Sequence, residues 1–154
     1  TPSPQNRNPV NRTWLSRNEA ETFEVGGRLV ADLPDGAIVS LEGTLGAGKS
    51  VLVRGMAAGM GIDPELVTSP TFTLWQTYQG SRNRELHHLD AYRLLDANQL
   101  IDLGVEELFQ SDGIAVIEWG EKVRAALPLD HYRVMIEIDE HGQRKIVLIP
   151  PAER

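Results

Sequence analysis

Gly43-Thr44-Leu45-Gly46-Ala47-Gly48-Lys49-Ser50 is the stretch that decides the fold, because it satisfies the phosphate-binding pattern G-x-x-x-x-G-K-[ST] at every required position. The run 37–41 before it is apolar and partly β-branched, as a buried parallel strand should be. Apolar residues then recur at three- and four-residue spacing as far as Met60, which predicts a helix ending near Gly59 and Gly61. Strand, glycine-rich loop and helix together are the setting that the pattern requires.

The chemistry of this segment, here called the phosphate loop, follows from its charges. Glycines at 43, 46 and 48 allow backbone turns in which successive N–H groups converge on phosphate oxygens, and the following helix adds its positive end. We expect Lys49 to bind the β- and γ-phosphates and the Ser50 hydroxyl to ligate Mg²⁺. The alternative is a glycine-rich turn with an incidental lysine. The predicted nucleotide contacts are Leu45, Gly46, Ala47, Gly48, Lys49, Ser50 and Val51.

Length and composition indicate one globular domain. The chain has 154 residues, 41% of them hydrophobic and 24% charged, which are average values for a globular protein with a single core. It has no apolar run long enough to span a bilayer and no charged-then-apolar leader, so we expect no membrane association and a cytoplasmic location. Cysteine is absent, which excludes disulfides, cysteine-based zinc sites and thiol catalysis.

The charge balance limits direct contact with nucleic acid. The net charge is −7 and only three lysines are present, whereas phosphate backbones are bound by clustered Lys and Arg. A role in nucleic-acid metabolism would therefore depend on protein partners.

The order of elements predicts the fold class. Residues 1–12 are rich in proline and asparagine and are expected to form a flexible tail, while 13–150 form a single domain. A short edge strand is expected at 13–15, and the capping box Ser16-Arg17-Asn18-Glu19 is expected to start a helix. Further along, the patterns predict a hairpin from 69–78 and 85–90, helical residues at 94–109 interrupted at Gly104, a buried strand at 114–119, a short helix at 121–127, and a final hairpin.

These elements indicate an α/β three-layer sandwich in which central parallel strands carry the phosphate loop and antiparallel hairpins extend the edges. The binding crevice of such a sheet lies at the carboxyl ends of its central strands.

Two carboxylates are candidates to complete the site, since hydrolysis needs an acid group near Mg²⁺ and a group that orients water. Glu118 follows four apolar residues at the end of a predicted central strand, where it would face Ser50, and its alternative is a solvent-exposed strand end. Asp90 follows a less apolar segment and could equally be a turn or helix-start aspartate.

Other polar and aromatic residues give weaker signals. His87 and His88 are neighbours on a predicted strand and face opposite sides, so a transition-metal site is not expected. Arg93 could clamp a phosphate or a partner, or form an ordinary surface ion pair. Trp119 is expected to point away from the face of Glu118, either packing under the sheet or lying beside the nucleotide.

Four segments of the chain together resemble the TsaE family, also called YjeE, whose members are small bacterial ATPases of tRNA threonylcarbamoyladenosine biosynthesis. The resemblance covers about residues 13–149. The segments are Leu45-Gly46-Ala47-Gly48-Lys49-Ser50, Ser69-Pro70-Thr71-Phe72, His88-Leu89-Asp90-Ala91-Tyr92-Arg93-Leu94 and Ile117-Glu118-Trp119.

The resemblance implies a P-loop NTPase-like fold, ATP/ADP and Mg²⁺ as ligands, and the TsaD and TsaB proteins as partners. Those partners transfer the threonylcarbamoyl group to the adenosine at tRNA position 37, so the contact with tRNA would be indirect. By the same resemblance, Lys49 binds phosphate, Ser50 and Glu118 hold Mg²⁺, Asp90 is the catalytic aspartate, Ser69 to Phe72 form a switch-like loop, and Trp119 lies close to the nucleotide.

Two positions depart from the family pattern. Thr44 stands where the family usually has Asp, and Ser50 stands where Thr is usual. The second change keeps a hydroxyl for Mg²⁺.

Two other functions remain compatible with the sequence. A small-molecule kinase would usually carry several arginines in a lid, whereas the arginines after residue 94 are scattered, at Arg124, Arg133, Arg144 and Arg154. A nucleotide-sensing interaction protein with little catalysis is equally compatible with the sequence. A GTPase switch is disfavoured because no Asn-Lys-x-Asp motif occurs.

Overall fold

The computed structural model describes residues 11–44, 46–68 and 74–151. Leu45 and the predicted switch-like loop Ser69 to Phe72 lie outside them, as does nearly all of the predicted tail. The strands of the sheet are β1 (Arg12–Ser16), β2 (Ile38–Glu42), β3 (Trp75–Gln79), β4 (Glu85–Asp90), β5 (Ile114–Glu118), β6 (Tyr132–Ile138) and β7 (Arg144–Ile149). The helices are α1 (Glu19–Asp32), α2 (Lys49–Gly59), α3 (Ala97–Asp102) and α4 (Val105–Leu108), with 3₁₀ segments at Pro64–Leu66, Ser81–Asn83 and Gly120–Ala126.

The strands form one mixed sheet in the order β1-β7-β6-β2-β5-β4-β3. The four central strands β6, β2, β5 and β4 are parallel. The strands β7 and β1 extend one edge in antiparallel fashion, and β3 does so at the other edge. The predicted fold class, with parallel centre and antiparallel edges, is confirmed.

Two hydrophobic cores cover the two faces of the sheet. Alternation along β2 places Val39 and Leu41 in a core with α1 and α2, and Ile38 in a second core with α3, α4 and the 3₁₀ segment Gly120–Ala126. The sheet is therefore the middle of three layers.

The start of α1 differs from the predicted capping box. Ser16 is the last residue of β1, and the N-cap is Asn18, whose side chain accepts the backbone N–H of Glu21 at 2.9 Å. The Glu21 carboxylate in turn accepts the backbone N–H of Arg17. A capping arrangement is present, but it starts two residues later because the edge strand continues through Ser16.

Close packing of α1 on α2 fixes the helix that follows the phosphate loop. A Cβ on Gly55 would lie 2.0 Å from the carbonyl oxygen of Phe23, and one on Gly26 would lie 2.4 Å from that of Leu52. The two helix backbones therefore touch where both residues lack side chains, which holds α2 against α1.

Most of the remaining predicted elements are present with shifted boundaries, and the short helix predicted at 121–127 is a 3₁₀ segment, Gly120–Ala126. The β3–β4 hairpin is confirmed, with β3 beginning at Trp75 in the described residues. The interruption at Gly104 is confirmed, since it has a φ of 86° and separates α3 from α4. The first of these helices starts only at Ala97 because Asp96 caps it. No helix built from the described ranges has the length and apolar character needed to cross a bilayer.

Candidate functional site

The described part of the phosphate loop connects the end of β2 to the first residue of α2. Gly43, Gly46 and Gly48 have φ values of 159°, 82° and 108°, and Gly48 is the N-cap of α2. A Cβ on Gly43 would lie 2.4 Å from the carbonyl oxygen of Ile136 in β6. Glycine is therefore required at this position both by backbone conformation and by the approach of the neighbouring strand.

Lys49 is held at the start of α2 with its side chain turned back over the loop. Its ammonium donates to the carbonyl oxygens of Gly43 at 2.6 Å and of Thr44 at 3.1 Å. Burial lowers the pKa of Lys49, while the negative charges of Glu118, Glu121 and Asp90 act in the opposite direction. The charges of Glu118 and Asp90, the two candidate carboxylates, therefore act on the Lys49 ammonium. Among the described residues, Lys49 is the only positively charged one that lines the same cavity as these carboxylates.

Trp119 covers this ammonium from the end of β5. Its ring centre lies 4.0 Å from Lys49 Nζ, within the range of a cation–π contact. Trp119 has a left-handed backbone with a φ of 60° and donates its N–H to Leu41. The indole also packs against the second core and lies 5.0 Å from the Tyr92 ring. Trp119 therefore packs against the second core and over the Lys49 ammonium. The expectation that it faces away from Glu118 is wrong, because its left-handed backbone ends the strand alternation and both residues line one cavity.

One cavity of about 340 Å³ brings most of the predicted site residues together. Asp90 and Glu118 are register partners at the carboxyl ends of the parallel strands β4 and β5. The N-terminus of α2 supplies the residues that face them. The cavity is lined by Gly46, Gly48, Lys49, Ser50, Val51, Asp90, Tyr92, Glu118 and Trp119.

Within the described ranges, two predicted residues lie outside this lining. Ala47 is buried in the first core, so its contribution to the loop is through its backbone. Arg93 is exposed and forms no ion pair with any other residue of the described ranges.

The oxygen donors of the cavity fit Mg²⁺. Ser50 supplies a hydroxyl, and Glu118 and Asp90 supply carboxylates, which are the hard ligands that this ion prefers. Glu118 is only 5% exposed and bonds through Oε2 to His88. Asp90 is half-buried, and its Oδ1 accepts the backbone N–H of Tyr92 at 2.9 Å. The loop N–H groups and Lys49 fit the phosphates of a nucleotide.

The structure contains a buried ionic cluster that the sequence did not predict, centred on Glu42 where the phosphate loop begins. Glu42, the residue before Gly43, is 4% exposed and receives two hydrogen bonds from Arg133, at 3.0 and 3.1 Å. Ser40 and Arg124 also donate to it. Burial raises the pKa of Glu42, but these hydrogen bonds and the Arg133 charge outweigh burial and hold it below its ordinary value. The available signal was a glutamate ending an otherwise apolar strand.

The final hairpin supports the loop from the other side. The Arg144 guanidinium donates through Nε to the carbonyl oxygen of Ala47 at 3.3 Å and through Nη1 to that of Gly142 at 3.0 Å. From the sequence, Arg144 was only one of the scattered arginines that disfavour a kinase lid.

Comparison with known proteins gives consistent matches. A family profile described as "Threonylcarbamoyl adenosine biosynthesis protein TsaE" matches residues 16–146. A protein named tRNA threonylcarbamoyladenosine biosynthesis protein TsaE from Treponema pallidum is 38% identical over 87% of this chain and 97% of its own. The protein of the same name from Bacillus subtilis is 33% identical over 92% of this chain and 87% of its own.

A solved structure shows the same fold. The crystal structure of YdiB from Bacillus subtilis superposes with a TM-score of 0.77 at 28% identity, covering 95% of this chain and 89% of that one. The three-layer sandwich is accordingly a P-loop NTPase-like fold.

Proposed function

The chain belongs to the TsaE family of threonylcarbamoyl adenosine biosynthesis proteins, and from this premise we propose that it is a Mg²⁺-dependent ATPase. In this proposal it supports threonylcarbamoyladenosine modification at tRNA position 37 by acting on the TsaD–TsaB transfer complex in the cytoplasm. The observation that carries the proposal is the single cavity in which Lys49 and Ser50 face the paired carboxylates Asp90 and Glu118.

Binding of ATP follows from the loop. The N–H groups around Gly46 and Gly48 and the N-terminus of α2 attract the phosphates, and the Lys49 ammonium exchanges carbonyl oxygens for phosphate oxygens. Ser50 and Glu118 are the residues that would hold Mg²⁺, which supplies neutralising charge for the phosphates when bound. Trp119 limits the access of water to Lys49, since its indole lies over the ammonium.

Hydrolysis requires a group that orients water toward the γ-phosphorus, and Asp90 is proposed for that role. One of its oxygens, Oδ1, is fixed by the Tyr92 N–H, so the side chain is oriented by the turn that follows β4. An ionised carboxylate accepts hydrogen bonds only and can therefore align a water molecule and attract its proton. The products are ADP and inorganic phosphate.

The partners follow from the family and from the charge of the chain. With a net charge of −7 and three lysines, one of them in the phosphate loop, the protein is proposed to leave tRNA binding to TsaD and TsaB. ATP turnover would then act on the state of the transfer complex.

A small-molecule kinase is a weaker alternative, because the described arginines after residue 94 are engaged elsewhere. Arg124 and Arg133 bond to Glu42, and Arg144 bonds to the loop carbonyl of Ala47. None of these three lines the cavity with Lys49. A nucleotide-sensing protein would bind ATP in the same cavity but hydrolyse little of it, so the rate of ATP hydrolysis separates this alternative from the proposed ATPase.

The proposal is tested by reconstitution with purified TsaD and TsaB, threonylcarbamoyl donor, tRNA and ATP. Repeated rounds of tRNA modification are expected to require the wild-type protein, and the Lys49→Ala variant should not replace it. Full multiple-turnover modification without this protein, or with Lys49→Ala, would overturn the proposed role.

A further inference from the structure

We propose that His88 is a positioning residue that fixes the carboxylate of Glu118 for the metal side of the cavity. The inference rests on the proposed function, because it concerns how one Mg²⁺ ligand of that site is oriented. In this arrangement Glu118 Oε2 is engaged by His88, which leaves Oε1 for the cavity that Glu118 lines.

The sheet register places the two side chains together. His88 lies in β4 opposite Val116 of β5, two residues before Glu118, so His88 and Glu118 occupy diagonal positions on one face of neighbouring strands. His88 Nε2 and Glu118 Oε2 are 2.5 Å apart. Both side chains are almost fully removed from solvent, with exposed fractions of 2% for His88 and 7% for Glu118.

The donor in this pair is assigned from the chemistry of its acceptor. An ionised carboxylate has no proton to donate, so the imidazole N–H must be at Nε2 for the contact to be favourable. The Nδ1 atom of His88 is buried and has no hydrogen-bond partner within the described ranges. Glu118 is therefore the only hydrogen-bond partner of the His88 ring among the described residues.

Such a contact affects metal binding because a glutamate side chain has several rotatable bonds. A hydrogen bond to one oxygen restricts those rotations and presents the other oxygen in one direction. Groups that orient metal ligands typically change metal affinity by about 10- to 100-fold when they are removed. The same strand, β4, also carries Asp90 two residues after His88 and on the same face.

His87 offers a matched control on the same strand. It is also buried, at 6% exposed, but it faces the opposite side and contacts the Thr77 hydroxyl through Nδ1 at 2.9 Å. Replacing His87 removes a buried imidazole without touching Glu118. A general loss of packing would appear in both histidine variants, whereas loss of Glu118 orientation would appear only at His88.

The test compares ADP affinity in the presence and absence of Mg²⁺ by calorimetry on the full chain. The variants are His88→Leu, His88→Asn, His88→Gln and the control His87→Gln, each checked for folding by thermal unfolding. Gln can place an amide N–H near the position of Nε2, whereas the shorter Asn cannot reach Glu118. The Asn and Gln pair decides the question if His88→Leu does not fold.

We expect the Mg²⁺-dependent gain in ADP affinity to fall about tenfold or more in His88→Leu and His88→Asn. Affinity without Mg²⁺ should stay unchanged, and His88→Gln and His87→Gln should keep the gain. A parallel titration of Mn²⁺ with ADP, followed by electron paramagnetic resonance, should show the same order of metal affinities.

Folded His88→Asn with an undiminished Mg²⁺ gain, or equal losses in His88→Asn and His88→Gln, would overturn the positioning role. Those results would leave the proposed ATPase intact if the wild-type protein shows a Mg²⁺ gain. Wild-type ADP affinity that ignores Mg²⁺ would instead overturn the metal site itself and this inference with it.

Discussion

The ammonium of Lys49 lies 4.0 Å from the centre of the Trp119 ring, so the cation of the phosphate loop meets the residue that follows Glu118. The contact joins two ends of parallel strands, because the loop follows β2 and Trp119 follows β5. Trp119 makes this contact with a left-handed backbone, a conformation that is uncommon for a bulky residue. Strain at this position is consistent with a role at the cavity rather than in the fold alone.

Replacing Lys49 by Ala should abolish measurable ATP binding. The variant loses one charge and its hydrogen bonds to phosphate, each worth about 1.5–3 kcal/mol for a charged group. Calorimetric titration with ATP and Mg²⁺ measures the loss, and Lys145→Ala in β7 is the control, since it removes the same charge from an exposed position. Undiminished affinity in Lys49→Ala would contradict the assignment.

Replacing Arg133 by Ala should destabilise the fold by about 1–3 kcal/mol, because Glu42 would keep a buried charge with fewer donors. The comparison is Arg28→Ala, which breaks an exposed pair with Glu24 on α1 and should cost less than about 1 kcal/mol. Urea denaturation of both variants gives the difference. Equal losses would mean that the Glu42 cluster contributes no more than a surface ion pair.

The Glu42 cluster should also make stability depend on pH. Its pKa is lower in the folded protein than its ordinary value near 4.5, so its stabilising contribution is present above that pH. The contribution is lost as pH falls below about 4.5 toward the folded pKa, because the unfolded chain takes up the proton first. Denaturation midpoints between about pH 3 and 7 should therefore fall more steeply for wild type than for Glu42→Gln. The same pH dependence of stability in wild type and Glu42→Gln would contradict this role of Glu42.

Replacing Gly55 by Ala should destabilise the protein by about 3 kcal/mol or more, because its Cβ would overlap the Phe23 carbonyl. Gly27→Ala is the matched control on α1, where the nearest atom is the Gly55 oxygen at 3.9 Å. That change should be neutral or stabilise by up to about 1 kcal/mol, since Ala favours helix. Thermal unfolding distinguishes the two. Equal tolerance would show that the helices are not in close contact at Gly55.

Local patterns were sufficient for β2, β5 and the helix after the phosphate loop, whereas β4 and β6 were predicted only as members of antiparallel hairpins and not as central parallel strands. The apolar run before Gly43 and the apolar spacing after Lys49 predict β2 and α2, because burial and period act within a few residues. The carboxyl end of a central strand was predicted for Glu118, whereas Asp90 was left open between a site residue and a turn or helix-start residue. Its pairing with Glu118 comes from the parallel register of β4 and β5.

Contacts between residues on strands far apart in the sequence could not be predicted from local patterns. The approach of Arg133 to Glu42 depends on the pairing of β2 with β6, and that of His88 to Glu118 depends on the register of β4 and β5. The sequence placed the cap of α1 at Ser16, whereas the N-cap is Asn18. Ser16 instead belongs to β1, because it pairs with Arg144 of β7.

The most direct test of the proposed ATPase is phosphate release by wild type and by Asp90→Asn at saturating ATP and Mg²⁺, with TsaD and TsaB present. Asp102→Asn in α3 is the control, and calorimetry establishes that each variant binds ATP. We predict wild-type turnover in Asp102→Asn and a loss of about 100-fold or more in Asp90→Asn, with ATP affinity retained. Wild-type phosphate release from Asp90→Asn would contradict the account.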